Sequence, residues 1–162
     1  MAEVVAALGV VASVAQLADF GFRLSVKLFT YSKAVASADT SIKDISNDVS
    51  LTSTVLKELC QILESDESRV VSEKAIEATS QTVKECMLVF EQLNDALDKS
   101  LANLDVSQSK GKAKRGMVAL EKLKWPFKQN KMELLRSNLD RLKASLTLML
   151  QVLSYARDIS NR

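Results

Sequence analysis

The chain has 162 residues, 47% of them hydrophobic, with four Gly, one Pro, two Cys and no His. That hydrophobic share builds the core of one ordinary domain and is too high for a disordered chain, while the scarcity of Gly and Pro excludes turn-rich β-sandwiches and barrels. Net charge is +2, but residues 1–108 carry 9 Lys/Arg against 16 Asp/Glu and residues 109–162 carry 13 against 4, an asymmetry that bears on partners rather than on fold.

Helical periodicity is predicted in four long segments. The first covers residues 2–36, with a possible bend at Gly21. It is apolar on nearly every face from Val4 to Ala18 and amphipathic beyond, with Phe22, Val26 and Phe29 on one side among Arg23, Lys27 and Lys33. Ser41-x-x-Asp44 resembles a capping box for the second helix, whose stripe is Ile42, Ile45, Val49, Leu56, Leu59 and Leu63. Ser72 caps the third, with Ile76, Val83, Met87, Phe90, Leu93 and Leu97. The stretch 106–116 reads as a loop, a short helix over 117–124 precedes Trp125-Pro126, and the last helix runs from Pro126 to Asp158. Its seam, Leu135, Leu139, Leu142, Leu146, Met149 and Leu153, alternates steps of four and three, as bundle packing requires. A second row, Leu134, Leu148 and Val152, predicts a wider buried face and a central position. The expected fold is all-α: an antiparallel bundle of four long helices plus the short one, forming a single domain over 1–162 that serves as the N-terminal module of a longer protein.

Without His, the chain lacks the commonest general base and metal ligand. Cys60 and Cys86 form no CxxC pair, fall on or beside apolar stripes and suit a reducing cytosol. No GxSxG, Walker A or GxGxxG motif occurs. Enzymatic activity and a cofactor or metal are therefore not expected.

Two features stand out. In the first helix only Gly9, Ser13 and Gln16 break a run of Val, Leu and Ala. Such a helix is either a buried central element or one able to leave the bundle for a bilayer, where Gly9-x-x-x-Ser13 permits close helix approach. Its 15 uncharged residues span about 22 Å, short of the roughly 30 Å of a hydrocarbon core. Glu3 as the only early charge does not fit a signal peptide. The second feature is a basic run, Lys110, Lys112, Lys114, Arg115, Lys122, Lys124, Lys128 and Lys131, opposed only by Glu121. It suits anionic lipid headgroups, a solvated loop or nucleic acid. The lack of aromatic interleaving disfavours the last.

The opening Met-Ala-Glu-Val-Val-Ala-Ala-Leu-Gly-Val-Val-Ala-Ser-Val-Ala-Gln-Leu resembles the start of the HeLo-like fungal N-terminal domains of NLR-like STAND proteins. The stretch Leu120 to Leu153, with Leu123-Lys124-Trp125-Pro126-Phe127 and Leu-Thr-Leu-Met-Leu at 146–150, resembles the C-terminal half of that group. The resemblance implies a helical bundle related to the four-helix executioner domain of necroptosis. It further implies a membrane-targeting, pore-forming role in fungal programmed cell death, either heterokaryon incompatibility or innate immunity. In that picture the chain is cytoplasmic at rest, is gathered by an upstream NLR-like receptor or amyloid signalling partner, self-associates and moves to the plasma membrane. The implied insertion residues are Glu3, Val4, Val5, Leu8, Gly9, Val10, Val11, Val14 and Leu17. The implied lipid contacts are Lys110, Lys112, Lys114, Arg115, Lys122, Lys124 and Lys128. The rival reading is a signalling adaptor of such a receptor, without membrane activity.

Overall fold

The structure is a computed structural model that describes residues 2–34, 40–65, 73–108, 129–160 and 162. Four helices make up the described chain: α1 (Ala2–Ala34), α2 (Thr40–Glu64), α3 (Glu73–Gln108) and α4 (Gln129–Ser160). The expected all-α bundle is what forms. The short helix at 117–124, the Trp125-Pro126 corner and Ser72 lie outside the described residues. Because α2 opens at Thr40, Ser41 sits inside the helix rather than at its cap.

The stripes of α2 and α4 bury as their spacing predicts. Ile42, Ile45, Val49, Leu56, Leu59 and Leu63 meet Leu135, Leu139, Leu142, Leu146 and Leu153 in one core with Val83, Phe90, Leu93 and Leu97 of α3. Met87 and Met149 are partly buried against it. Full burial of such side chains contributes about 1.5–3 kcal/mol each. Six hydroxyl residues share this interior: Ser25, Ser46, Thr52, Ser53, Thr79 and Ser100. Five of them donate to a carbonyl one turn back on their own helix, and Ser46 Oγ donates across to the Ser25 carbonyl at 2.8 Å. None of these hydroxyls is therefore buried without a partner.

Cross-helix pairs give the arrangement. Val11 lies by Cys60 and Ser25 by Ser46, so α1 and α2 are antiparallel. Thr79 with Met149 and Glu85 with Arg141 make α3 and α4 antiparallel. Gly21 beside Phe90 and Lys27 beside Asp98 make α1 and α3 parallel, and Asp44 with Arg136 and Asp48 with Lys143 do the same for α2 and α4. Going round the bundle the order is α1, α2, α4, α3, with little contact across the diagonals. Two of the four neighbouring pairs are thus parallel, where an up-and-down antiparallel ring has none.

Two expectations fail here. The buried face of α1 is Val14, Leu17, Ala18, Gly21, Leu24, Ser25, Leu28 and Tyr31. Val26 and Phe29 are exposed and Phe22 is only partly buried. The two rows lie about 120° apart on the helix, little more than a one-residue offset at roughly 100° per residue. Gly21 and Ser25 interrupt the true core face, so it carries little hydrophobic periodicity. Likewise Leu134, Leu148 and Val152 are exposed. They stand about 110° round α4 from its seam, outside the buried face, and α4 is no more central than the other helices.

Candidate functional site

The apolar N-terminal half of α1 is helical from Ala2 onward. This follows from a run of Val, Leu and Ala with no proline and with Gly9 alone interrupting it. The nine residues expected to form an insertion surface divide into three groups. Val14 and Leu17 are fully buried in the bundle core. Val10 and Val11 are partly buried against it. Leu8 is 64% exposed and Gly9 is exposed. The side chains of Glu3, Val4 and Val5 lie outside the described residues, although their backbone belongs to α1. On the core side, burial therefore weakens from Val14 and Leu17 to Val10 and Val11, whereas Leu8 stands on the outer face in line with the equally exposed Val26.

The fastenings of α1 follow the same gradient. At its C-terminal half, Lys27 donates to Asn94 Oδ1 at 3.1 Å and pairs with Asp98 of α3. Tyr31 is buried to 2% exposure, and burial raises its phenol above the ordinary value, an effect partly offset by a hydrogen bond with Ser100. In the middle, Gly21 packs directly on Ser53 of α2 and Phe90 of α3, and Phe20 meets Phe90 edge-on at 6.2 Å between ring centroids. Further toward the N-terminus, among the described residues, α1 makes no ion pair to another helix. Asp19 pairs only with Arg23 one turn on, at 2.7 Å and well exposed. What remains is apolar packing and the Cys60 thiol, 3.8 Å from the Val11 carbonyl.

Gly9 and Ser13 are not a packing seam within the bundle. Nothing lies within 4 Å of the position a Gly9 Cβ would take. Ser13 Oγ donates to the Gly9 carbonyl at 2.9 Å on the open surface. Ser13 and Gln16 line a shallow groove against Val83, Met87 and Leu88 of α3, whereas Gly21 is the glycine that close packing among the described helices requires.

Between α1 and α2 lies a groove of about 360 Å³ lined by Ala15, Ala18, Asp19, Phe22, Lys57, Cys60, Gln61 and Glu64. Its thiol is held protonated by burial first and by the Glu64 carboxylate second. Cys86 is buried in the core, and its thiol is pushed up to about 12 by desolvation. Neither is poised as a nucleophile at neutral pH, because the thiolate is the reactive form. Among the described residues no group of three His, Cys, Asp or Glu could hold a metal ion, and no helix is long and apolar enough to cross a membrane.

The basic residues Lys110, Lys112, Lys114, Arg115, Lys122, Lys124 and Lys128 lie outside the described residues. Lys131 is exposed in the first turn of α4. No family model, curated protein or solved structure matches the chain at a significant level.

Proposed function

We propose that the chain is a membrane-targeting execution module of cell death, in which the N-terminal turns of α1 enter the bilayer once copies are gathered. The observation that carries this reading is the gradient along α1. The helix is fastened from Val14 to Tyr31 and loosely held N-terminal to that, and the loose part carries no charge between Glu3 and Asp19. Releasing those turns exposes only apolar side chains and costs no ion pair, and lipid compensates the lost burial. A lone copy is too short and too polar at Asp19 to span a membrane. The reading therefore needs shallow insertion or several helices together, with Gly9 and Ser13 on the face through which they meet. The basic run 110–131 adds attraction to anionic headgroups of about 1 kcal/mol per well-placed cation.

The test is release of a trapped dye from anionic vesicles by copies fused to an inducible oligomeriser. Leu8→Glu is the informative variant. Leu8 is exposed, so a charge there leaves the bundle intact while opposing insertion by about 2.5–3.5 kcal/mol. Leakage is expected to fall more than tenfold, with an unchanged thermal melt. Val10→Glu and Val11→Glu are weaker tests, because both residues are partly buried and their loss of activity could reflect unfolding. Leakage that survives Leu8→Glu would refute the reading. A second reading, a helical adaptor, is favoured by the exposed apolar face of α4. It predicts no leakage under any of these conditions.

A further inference from the structure

Leu8, Ala15, Phe22 and Phe29 follow one another at seven-residue intervals along α1, with Val26 beside them. Phe22 is half-buried and the others are exposed. The row stands on the outer side of α1 toward α2, where Ala15 and Phe22 share a groove with Lys57. On α2, Lys43, Ser50 and Lys57 keep the same interval. The register that sets Ser25 beside Ser46 brings Lys43 level with about residue 28 of α1 and Lys57 level with about residue 14. An apolar row and a basic row therefore run side by side. Lys33 adds a third cation, its ammonium 4.5 Å from the centre of the Phe29 ring. No carboxylate of the described residues pairs with Lys33, Lys43 or Lys57. Of the acids on this face, Asp19 is engaged by Arg23, and Glu64 lies at the far end beside Cys60. The outward row of α3 is the reverse, with Glu77, Glu91 and Asp95 against Lys84.

Helix order adds a second constraint. The C-terminal end of α1, Gln108 at the end of α3 and Gln129 at the start of α4 lie at one end of the bundle. The basic run 110–128 follows Gln108 and precedes Gln129, so it joins the bundle there. Leu8 lies toward the other end, about 40 Å away at the helical rise. A flat surface meets both ends only when the bundle lies on its side. We propose that the bundle docks side-on on anionic lipid through the outer face of α1 and α2. Val26 and Phe29 sit at headgroup level, and Lys33, Lys43 and Lys57 meet the phosphates. Apolar side chains flanked by lysines suit that boundary, whereas the acidic row of α3 is turned away from it. The proposal takes its partner from the membrane reading above, but it assigns the contact to the part of α1 that stays seated in the bundle. Docking therefore needs no release of the N-terminal turns and precedes it.

Co-sedimentation of the whole chain, without an oligomeriser, with vesicles of equal parts phosphatidylcholine and phosphatidylserine tests it. Binding is expected, and phosphatidylcholine alone should bind far less. Val26→Glu and Lys43→Glu should each weaken binding about tenfold. Leu88→Glu, on α3, should leave it unchanged. All three positions are exposed, and an unchanged thermal melt shows that each variant is folded. A parent that does not bind, binding indifferent to Val26→Glu, or an equal loss in Leu88→Glu overturns the proposal. Loss in Lys43→Glu alone also overturns it, because the face would then hold any polyanion by charge. The outcomes separate from those of the leakage test. Leakage that falls with Leu8→Glu while binding ignores Val26→Glu keeps insertion and removes side-on docking. Binding that depends on Val26 and Lys43, with no leakage from gathered copies, does the reverse.

Discussion

Replacing Gly21 by leucine is expected to leave the chain without a cooperative unfolding transition. A single carbon added at Gly21 would stand 2.0 Å from Ser53 Oγ and 2.6 Å from Phe90 Cε2. Those neighbours belong to two different helices, so α1 cannot move off one without driving into the other. Even Gly21→Ala should destabilise. Alanine favours the helix by up to about 1 kcal/mol, but forcing a carbon into a filled site costs about 1–3 kcal/mol. At these distances the steric cost wins. Urea unfolding followed by circular dichroism checks this, and Gly21→Ala combined with Ser53→Ala sharpens it. Removing the Ser53 hydroxyl relieves the nearer contact and leaves the Phe90 ring, so the pair should be less destabilised than the sum of the single variants. An alanine variant as stable as the parent would mean that α1 does not sit at this three-helix contact.

The same site shows why α1 was harder to read than its partners. In α2 and α4 the core rows are leucine, isoleucine and valine, and charged residues such as Asp140, Arg141 and Lys143 interrupt the other faces. Periodicity alone then locates the seam. In α1 the core row runs through Gly21 and Ser25, small residues that carry no hydrophobic signal, while Phe22, Val26 and Phe29 mark the wrong side. Close packing of Gly21 on Ser53 and Phe90, and of Ser25 beside Ser46, makes the small residues core residues, and that depends on helices distant in sequence. Helix order was illegible for a related reason. Lys27, Asp98, Asp48, Lys143, Glu85 and Arg141 look like ordinary solvated charges in sequence, and only their pairing across helices reveals which neighbours are parallel.

The candidate site was legible in part. The uncharged stretch of α1 is visible in sequence, but its division into a seated portion at Val14 and Leu17 and a less buried one at Val10 and Val11 is not. That division depends on how far α2 and its neighbours extend alongside α1. The register set by Val11 with Cys60 and Ser25 with Ser46 brings the C-terminal end of α2, at Glu64, level with about residue 7 of α1. The turns before it run on beyond α2. Leu134, Leu148 and Val152 follow helical spacing and so resemble a second core row, and only the structure shows them exposed.

The loss of stability in alkali is expected to be steep and to trace largely to Cys86. Desolvation pushes this thiol up to about 12 in the folded chain, from an ordinary value of 9.0. The folded state therefore holds the proton more tightly than the unfolded state. The stability tied to that proton is complete below pH 9 and drains away as pH rises from 9 toward 12. At about 1.4 kcal/mol per tenfold change in proton activity, the whole interval amounts to about 4 kcal/mol. Tyr31 and Cys60 act in the same direction, since burial raises both. Unfolding should be measured at pH 8 and pH 11 under a reductant that keeps the thiols from oxidising. Cys86→Ala costs some packing at both values, but its stability should fall far less between them. Tyr31→Phe provides the parallel comparison for the phenol. All other residues are common to the parent and the variant, so the difference in slope isolates the buried acid. Identical slopes in the parent and Cys86→Ala would show that the thiol is not the titrating group, and that Cys86 is more solvated than its place in the core implies.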